Sequence, residues 1–234
     1  MSAAPRGHRG DVAVVIPAGG LGTRLGRRTP KQLLTLGRTP ILVVTVRHFV
    51  EHPRVSAVVV AAPTPYLKRT RRLLAPLAGR CQLTVVEGGP TRQESVWRAL
   101  QATSSDAELI LVHDAVRPFI TRRLVDAVLQ AARAHGAALC ALPIAETVKR
   151  VNGEYVEATL DRSSLWAAQT PQAFRAALLR EAHEKSHRDG ISGTDEAALV
   201  ERLGVPVRIV RGLEANLKIT TPDDLRRARA WARR

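Results

Sequence analysis

Residues 12–31 read VAVVIPAGGLGTRLGRRTPK, and this stretch decides the fold. It begins with a short apolar run that is typical of a buried strand, and the run ends abruptly at Gly19-Gly20. A glycine-rich turn at a strand end can direct several backbone N–H groups at one polyanion, because glycine allows close approach and positive φ angles. The stretch therefore predicts that an anionic ligand binds directly after the first strand.

The spacing of the glycines excludes two other phosphate-binding loops. A Walker loop needs Lys-Ser or Lys-Thr after its final glycine, and a dinucleotide fingerprint needs glycine where this chain has Leu25. Arg24 supplies a guanidinium that can bind two phosphate oxygens, and Lys31 supplies a compact charge where negative charge develops. The alternative interpretation is a tight structural turn that carries two solvated cations.

Strand-like and helix-like segments alternate along the rest of the chain. The strand-like segments cover residues 55–62, 83–86, 109–113, 137–143 and 207–210, and the helix-like ones cover residues 41–50, 66–74, 92–101, 122–135, 174–186 and 195–203, with a last helix from Thr221. This alternation predicts a single α/β domain over residues 1–234, with a doubly wound, mostly parallel sheet. In such sheets, ligands bind beyond the carboxyl ends of the strands.

Residues 144–166 break this alternation. Strand-like segments at 147–151 and 155–160 flank Asn152-Gly153, which favours a hairpin with a type I′ turn. A two-stranded ribbon is only marginally stable in water by itself. The segment therefore predicts a protruding β-hairpin arm that packs on a second subunit of a homodimer.

The amino-acid composition limits which binding partners and which cellular compartment fit this chain. The net charge of +15 suits a polyanionic partner, but 31 of the 36 basic residues are scattered arginines, and no alternation of basic and aromatic residues marks a base-stacking surface. A basic nucleic-acid-binding protein is therefore the alternative from another class and not the favoured one. Residues 1–10 lack the apolar core of a signal peptide, and no apolar stretch reaches the roughly 18 residues of a membrane span. With Cys81 and Cys140 in strand-like runs, we predict a cytoplasmic protein without membrane association.

Six short segments carry a resemblance to a known family. They are residues 18–24 with Pro30-Lys31, Gly88-Gly89 with Arg92 and Ser95, and residues 113–118 (HDAVRP), 170–172 (TPQ), 194–196 (TDE) and 216–220 (NLKIT). Together they resemble the 2-C-methyl-D-erythritol 4-phosphate cytidylyltransferases of the sugar nucleotidyltransferase-like superfamily, from about residue 12 to residue 228. The resemblance implies a Rossmann-like nucleotidyltransferase that acts on CTP and a small polyol phosphate. Pentitol-phosphate cytidylyltransferases, which act on ribitol 5-phosphate, share most of these segments and remain an alternative.

The resemblance also implies a role for each matching residue. Its implied catalytic residues are Arg24, Lys31, Arg162 and Lys218. Arg24 and Lys31 would stabilise the charge at the α-phosphate and the departing pyrophosphate, and Arg162 and Lys218 would bind the acceptor's phosphate. The implied nucleotide-binding residues are Pro17, Ala18, Gly19, Gly20, Gly22, Thr23, Gly88, Gly89, Arg92, Ser95, Asp114 and Ala115. The implied acceptor-binding residues are Arg117, Thr147, Arg162, Thr170, Thr194 and Lys218.

Asp114 follows a buried strand-like segment, which suits a metal ligand. Mg²⁺ takes one or two carboxylates together with phosphates and waters, so we predict a divalent-cation cofactor held by Asp114. The alternative is an aspartate that braces a loop or caps a helix. Arg117 then either binds the acceptor's phosphate or pins Asp114, and His113 is interpreted as a structural neighbour. For Gly88-Gly89, the alternative is a plain strand end before a helix with a Thr91–Glu94 capping box.

Overall fold

The computed structural model of the chain describes residues 10–20, 29–79 and 81–233. Eleven strands lie in these ranges: β1 (Val12–Pro17), β2 (Thr35–Leu36), β3 (Thr39–Pro40), β4 (Val55–Ala62), β5 (Gln82–Glu87), β6 (Leu109–Val112), β7 (Ala137–Pro143), β8 (Val148–Asn152), β9 (Tyr155–Leu160), β10 (Trp166–Arg175) and β11 (Arg208–Arg211). Seven of them form the central sheet, in the order β11-β7-β10-β6-β1-β4-β5. Only β10 runs antiparallel to its neighbours there, so the prediction of a mostly parallel sheet is confirmed.

Seven α-helices lie in the described part of the chain, and the first six of them cover both faces of this sheet. They are α1 (Ile41–Val50), α2 (Leu67–Leu74), α3 (Arg92–Gln101), α4 (Arg122–His135), α5 (Ala176–Asp189), α6 (Glu196–Glu201) and α7 (Pro222–Trp231). Successive strand residues point to opposite faces. Val14 and Ile16 therefore pack with α1, α2 and α4, whereas Ala13 and Val15 pack with α3, α5 and α6. The sheet is doubly wound, as predicted. None of these helices combines the length and the apolar character that crossing a membrane requires.

Local sequence signals set several helix ends. The Thr121 hydroxyl accepts the Leu124 N–H at 3.3 Å and caps α4, which ends at Gly136, where φ is 87°. Thr221 and Asp224 form a capping box at the start of α7. At α3, the Thr91 hydroxyl accepts the Glu94 N–H at 3.1 Å, so the N-cap half of the predicted capping box is present.

The strand β10 corrects the predicted helix over residues 174–186. Phe174 pairs with Ile110 of β6 and Ala137 of β7 inside the sheet, and α5 begins only at Ala176. The sequence of β10, WAAQTPQAFR, has one β-branched residue and one proline, so its local propensity favours no strand. Burial between two neighbouring strands decides its conformation instead.

The arm is present, but its turn differs from the prediction. β8 and β9 form a separate two-stranded sheet in which Asn152 pairs with Tyr155. Gly153 has φ 58°, and no residue other than glycine has a positive φ angle in the described ranges. A type I′ turn needs a positive φ at both central residues, whereas type II′ needs it only at the first. Gly153 and Glu154 therefore follow the type II′ pattern.

Candidate active site

The chain reverses direction across the sheet beside β1. It runs outward from β1 to β4 and β5 and then returns to place β6 on the other side of β1. The carboxyl ends of β1, β5 and β6 lie at one edge of the sheet, and such a switch point is where α/β proteins bind ligands. The residues that follow these strands are Ala18, Gly88 and His113, so three of the predicted segments meet here.

A cavity of about 230 Å³ opens at this edge. The residues that line it are Pro17, Ala18, Gly19, Gly20, Lys31, Gln32, Gly89, Pro90, Thr91, Arg92, Ser95, Asp114, Ala115, Val116 and Lys218. Eleven of these fifteen residues are among the predicted catalytic and nucleotide-binding residues. The predictions at Gly22, Thr23 and Arg24 lie outside the described residues.

The glycines around the cavity differ in whether a side chain at their position would clash with neighbouring atoms. A Cβ on Gly19 would lie 2.5 Å from Oγ of Ser95, and one on Gly89 would lie 2.1 Å from Cγ of Glu94. Gly19 is therefore required by the close packing of the loop after β1 on α3, and Gly89 by the close packing of the loop after β5 on the first turn of the same helix. A Cβ on Gly20 would meet no described atom within 4 Å, so packing does not explain this glycine. Gly20 also lines the cavity.

Ser95 joins the loop after β5 to the first turn of α3. Its Oγ accepts the N–H of Gly89 at 3.1 Å and donates to the carbonyl oxygen of Thr91 at 2.9 Å. Both the structural and the ligand-binding interpretation of this segment are compatible with that geometry, because Gly89, Thr91 and Ser95 also line the cavity.

Gln32 holds the loop after β1 and was not predicted as a site residue. Its side chain is buried, and Nε2 donates to the carbonyl oxygens of Ala18 at 2.5 Å and of Gly20 at 3.1 Å. Lys31, in the same short 3₁₀ turn (Lys31–Leu33), lines the cavity, and its catalytic role stays a prediction. The position of Gln32 directly after Pro30-Lys31 was the one available sequence signal, and it does not by itself indicate a brace.

Three cations surround the carboxylate of Asp114. Oδ1 accepts from Nε of Arg92 at 3.1 Å, while Oδ2 lies 2.8 Å from Nζ of Lys218 and 3.6 Å from Nε of Arg117. Burial by itself raises the pKa of Asp114, but the charges of Arg92 and Lys218 outweigh burial and hold that pKa well below its usual range. Asp114 is therefore an anion at any physiological pH, on the wall of an otherwise cationic cavity.

Arg117 reaches this carboxylate from a buried position. Its Nη1 donates to the carbonyl oxygen of Asn216 at 2.7 Å, so it also ties Asp114 to the segment that carries Lys218. This geometry matches the interpretation that Arg117 pins Asp114. Its predicted contact with the acceptor stays a prediction.

His113 and Thr170 support Asp114 from behind through a directional chain of hydrogen bonds. Nε2 of His113 lies 3.0 Å from the carbonyl oxygen of Arg117, and because a carbonyl only accepts, this nitrogen carries the proton. Nδ1 then accepts from the Thr170 hydroxyl at 3.2 Å, and the same hydroxyl oxygen accepts the Asp114 N–H at 3.0 Å. Burial lowers the pKa of His113 to about 4, so it is neutral and structural, as interpreted from the sequence.

Arg92 connects the cavity wall to a residue that the sequence analysis assigned no role. Nη1 and Nη2 donate to Oε1 and Oε2 of Glu196, each at 2.9 Å, while Nε contacts Asp114. Burial by itself lowers the pKa of Arg92, but Glu196 and Asp114 raise it above its ordinary value. Its place in the segment 194–196 (TDE) is the sequence feature that could have pointed to Glu196 as part of the site.

Of the six predicted acceptor residues, only Lys218 lines the cavity. Arg117 and Thr170 lie behind Asp114, and the other three lie farther from the wall. Thr147 and Arg162 are exposed on the arm and at its base, where Nη1 of Arg162 donates to the carbonyl oxygen of Ala145. Thr194 is exposed just before Asp195, the N-cap of α6. Their roles stay predictions, because a single chain does not bring them to the cavity wall.

The cavity residues fit the predicted divalent cation only if the phosphates of a bound nucleotide supply further ligands. Within residues 10–20, 29–79 and 81–233, no group of three His, Cys, Asp or Glu side chains could hold a metal ion. Asp114 provides one carboxylate on the cavity wall, and Mg²⁺ in triphosphate sites commonly uses one or two carboxylates plus phosphate oxygens and waters.

Comparisons with known proteins agree over nearly the whole chain. A family model described as 2-C-methyl-D-erythritol 4-phosphate cytidylyltransferase matches residues 12–234. The enzyme of that name from Symbiobacterium thermophilum is 47% identical over 229 residues, which cover 97% of this chain and 95% of the relative. The one from Bacillus pumilus is 44% identical, over 93% of this chain and 95% of the relative. The crystal structure of 2-C-methyl-D-erythritol 4-phosphate cytidylyltransferase from Thermus thermophilus covers 96% of this chain and 100% of its own, at 40% identity and a TM-score of 0.80.

Proposed function

The chain belongs to the 2-C-methyl-D-erythritol 4-phosphate cytidylyltransferase family, and from that premise we propose how its cavity carries out the reaction. The enzyme transfers the cytidylyl group of CTP to 2-C-methyl-D-erythritol 4-phosphate and releases pyrophosphate. This step belongs to the non-mevalonate route to isoprenoid precursors. The observation that carries the assignment in this chain is the cavity at the switch point, which combines Gly19, Gly20, Lys31 and Lys218 with the carboxylate of Asp114.

The chemistry requires positioning and charge stabilisation more than proton transfer. A phosphate oxygen of the acceptor attacks the α-phosphorus of CTP, the bond from that phosphorus to the β-phosphate bridging oxygen breaks, and pyrophosphate leaves. The attacking phosphate is already ionised at neutral pH, so the reaction needs no general base. Protein catalysis of such transfers depends on in-line placement and on cations near the developing charge. We assign that charge stabilisation to Lys31 and Lys218, together with the predicted Arg24.

The binding roles follow the two sides of the cavity. We assign the triphosphate to the loop after β1, where Gly20 faces open space, and the cytosine end to the segment of Gly89 and Ser95. Lys218 lines the cavity beside Asp114, which suits contact with the acceptor's phosphate. Before substrate binds, Asp114 neutralises this lysine, so an incoming phosphate competes with the carboxylate for the same ammonium group.

A divalent cation is the proposed cofactor, with Asp114 as its protein ligand. When bound, Mg²⁺ neutralises part of the charge of the triphosphate, which the cavity cations do only in part. Asp114 supports this proposal because it is ionised and borders the cavity. Its ion pairs with Arg92 and Lys218 keep it in place until the nucleotide arrives.

We further propose that the enzyme is a cytoplasmic homodimer that assembles through the arm. Val151, Tyr155 and Val156 of the hairpin are 60%, 81% and 61% exposed, which is a large apolar surface for a two-stranded ribbon. Covering it with a second subunit would also allow Thr147 and Arg162 to reach the partner's cavity, since they do not line their own. The cytoplasmic location is supported by two free cysteines, Cys81 and Cys140.

A pyrophosphate-release screen tests the function directly. Four nucleoside triphosphates are each combined with 2-C-methyl-D-erythritol 4-phosphate and with ribitol 5-phosphate, with and without Mg²⁺. We expect release only with CTP and Mg²⁺, and with the erythritol acceptor at least tenfold faster in kcat/KM. Faster turnover of ribitol 5-phosphate would reassign the acceptor, and a lack of release in every combination would overturn the proposed activity.

A further inference from the structure

Glu196 lies behind the cavity wall and is 1% exposed. Both of its carboxylate oxygens accept from Arg92, at 2.9 Å each, and the same guanidinium donates Nε to Asp114 at 3.1 Å. We propose that Glu196 is a positioning residue for the transfer reaction: it fixes the guanidinium of Arg92 and, through Arg92, the carboxylate of Asp114. The inference rests on the proposed function, because it concerns the same cavity.

The start of α6 holds Glu196 rigidly. Oδ1 of Asp195 accepts the N–H of Ala198 at 3.0 Å and caps the helix, while its Oδ2 accepts from Nε2 of Gln172 at 2.7 Å. Oε1 of Gln172 in turn accepts the N–H of Ala197 at 3.1 Å. Since Gln172 belongs to β10 in the middle of the sheet, the residues on both sides of Glu196 are tied to the most buried part of the fold.

Glu196 also determines how Arg92 divides its hydrogen bonds. The two terminal nitrogens of the guanidinium are occupied by Glu196, so only Nε contacts Oδ1 of Asp114. Without the charge of Glu196, the terminal nitrogens would be free to take Asp114 in the two-pronged geometry that arginine and carboxylate groups favour. Asp114 would then turn toward Arg92 and away from Lys218, which lies 2.8 Å from Oδ2.

Burial makes a purely stabilising role a weak explanation for this pair. Taking charges out of water is costly, so a buried ion pair often adds little stability over apolar side chains of similar volume. Arg92 and Asp114 line the cavity and Glu196 does not. An effect of Glu196 on substrates must therefore pass through those two residues.

The first experiment compares Glu196→Gln with Asp11→Asn. Gln keeps the shape of Glu196 and removes its charge, and Asp11→Asn removes the charge from an ion pair with Arg133 that is absent from the cavity lining. We expect Glu196→Gln to lower kcat/KM for CTP about 10- to 100-fold and to weaken CTP binding in calorimetry by about tenfold, because misplacement of a site residue by 1 Å can cost about 100-fold. Asp11→Asn should change both quantities less than about twofold, even if it lowers the melting temperature by as much as Glu196→Gln does.

A double-mutant cycle separates a relay through Asp114 from an independent effect. In an Asp114→Asn background, Glu196→Gln should weaken CTP binding by less than about twofold further, since the residue through which it acts is already altered. If Glu196→Gln weakened CTP binding as much in that background as it does in the wild-type protein, the relay through Asp114 would be contradicted. The cycle is read by calorimetry, so it does not depend on residual turnover.

Arg92→Lys provides the test if Glu196→Gln does not fold. An ammonium group cannot bridge both carboxylates as the guanidinium does, but it leaves Glu196 with a cation. We expect the same loss of CTP affinity and of kcat/KM for CTP. A folded variant of either kind with wild-type affinity, KM and kcat would overturn the inference. A wild-type protein that binds CTP but releases no pyrophosphate would overturn the proposed function instead, and the binding comparison would still decide the role of Glu196.

Discussion

The cavity wall and the hairpin arm are built in opposite ways. In the wall, polar side chains join distant parts of the chain, as Arg92 does when it contacts both Asp114 and Glu196. In the arm, the ladder joins only β8 to β9, and Tyr155 and Val156 remain exposed. The wall is thus held by contacts within one chain, whereas the arm exposes apolar side chains to which the proposed second subunit would bind.

This contrast separates two kinds of experiment. A substitution in the wall should change affinity or rate within one subunit while leaving assembly intact. A substitution on the arm should first change assembly and affect turnover only as a consequence. The four predictions below test this separation, in order of decreasing expected effect.

Replacing Lys31 by alanine should have the largest effect. We expect kcat/KM to fall about 100- to 1,000-fold, the usual cost of losing one group that stabilises developing charge. Pyrophosphate release gives the rate, and the melting temperature should stay within about 3 °C of wild type. Lys68→Ala, at an exposed position on α2, is the control and should leave the rate unchanged. More than a tenth of wild-type kcat/KM in the Lys31 variant would remove this lysine from the mechanism.

Replacing Val156 by aspartate should break the proposed dimer. Burying an unpaired charge at an apolar interface costs about 3 kcal/mol, which corresponds to a roughly 100-fold higher dimer dissociation constant. Sedimentation velocity over a range of concentrations measures that constant. The melting temperature should change little, since the arm is a separate sheet. Glu157→Ala on the same strand is the control, and a wild-type chain that sediments as a monomer at every concentration would refute the dimer.

Replacing His183 by leucine should make the stability of the folded protein less sensitive to acid. His183 is buried and stacks on Trp97, with ring centroids 5.9 Å apart, and neither of its ring nitrogens has a hydrogen-bond partner among the described residues. Burial, with help from His187 and Arg92, lowers its pKa to about 4 from an ordinary value of 6.5.

The unfolded chain therefore binds a proton between those two pKa values that the folded chain does not, so the free energy of unfolding falls as the pH falls. Between pH 7.5 and pH 5, His183 accounts for a loss of about 2 kcal/mol. Urea unfolding at the two pH values should show a loss that is smaller by this amount in His183→Leu than in wild type. Equal losses in both proteins would mean that His183 titrates normally.

Replacing Gly20 by alanine should have the smallest effect and the most specific one. The new methyl group meets no described atom, so we expect an unchanged melting temperature and a KM for CTP that rises about tenfold, or roughly 1.4 kcal/mol. Gly19→Ala should behave in the opposite way, because its methyl group would clash with Ser95 and overpacking costs about 1–3 kcal/mol of stability. If both variants lost stability equally, Gly20 would be a structural glycine.

The sequence predicted the elements that depend on local signals. The strand before Gly19, the helix over residues 122–135 and the last helix from Thr221 all depend on residues that lie close together in the sequence. The glycine-rich segments after β1 and β5 and the aspartate after β6 were also placed at the same edge, because the carboxyl ends of parallel strands meet there.

The rest depends on pairing at long range, which no local pattern encodes. β10 has few strand-forming residues and is a strand because β6 and β7 bury it on both sides. Glu196 is separated from Arg92 by 104 residues, so only the fold brings the two charges together. The role of Gln32 depends on the fold in the same way, because its side chain binds two carbonyl oxygens of the loop after β1.

Strand β10 connects the hairpin arm to the cavity wall through one continuous stretch of backbone. This strand begins at Trp166, directly after the base of the arm, and passes Thr170, whose hydroxyl accepts the Asp114 N–H. A force applied to the arm thus acts on the same continuous backbone that supports the carboxylate. Thermodynamic linkage makes any such coupling reciprocal: if occupancy of the cavity tightens association, association must strengthen nucleotide binding by the same factor.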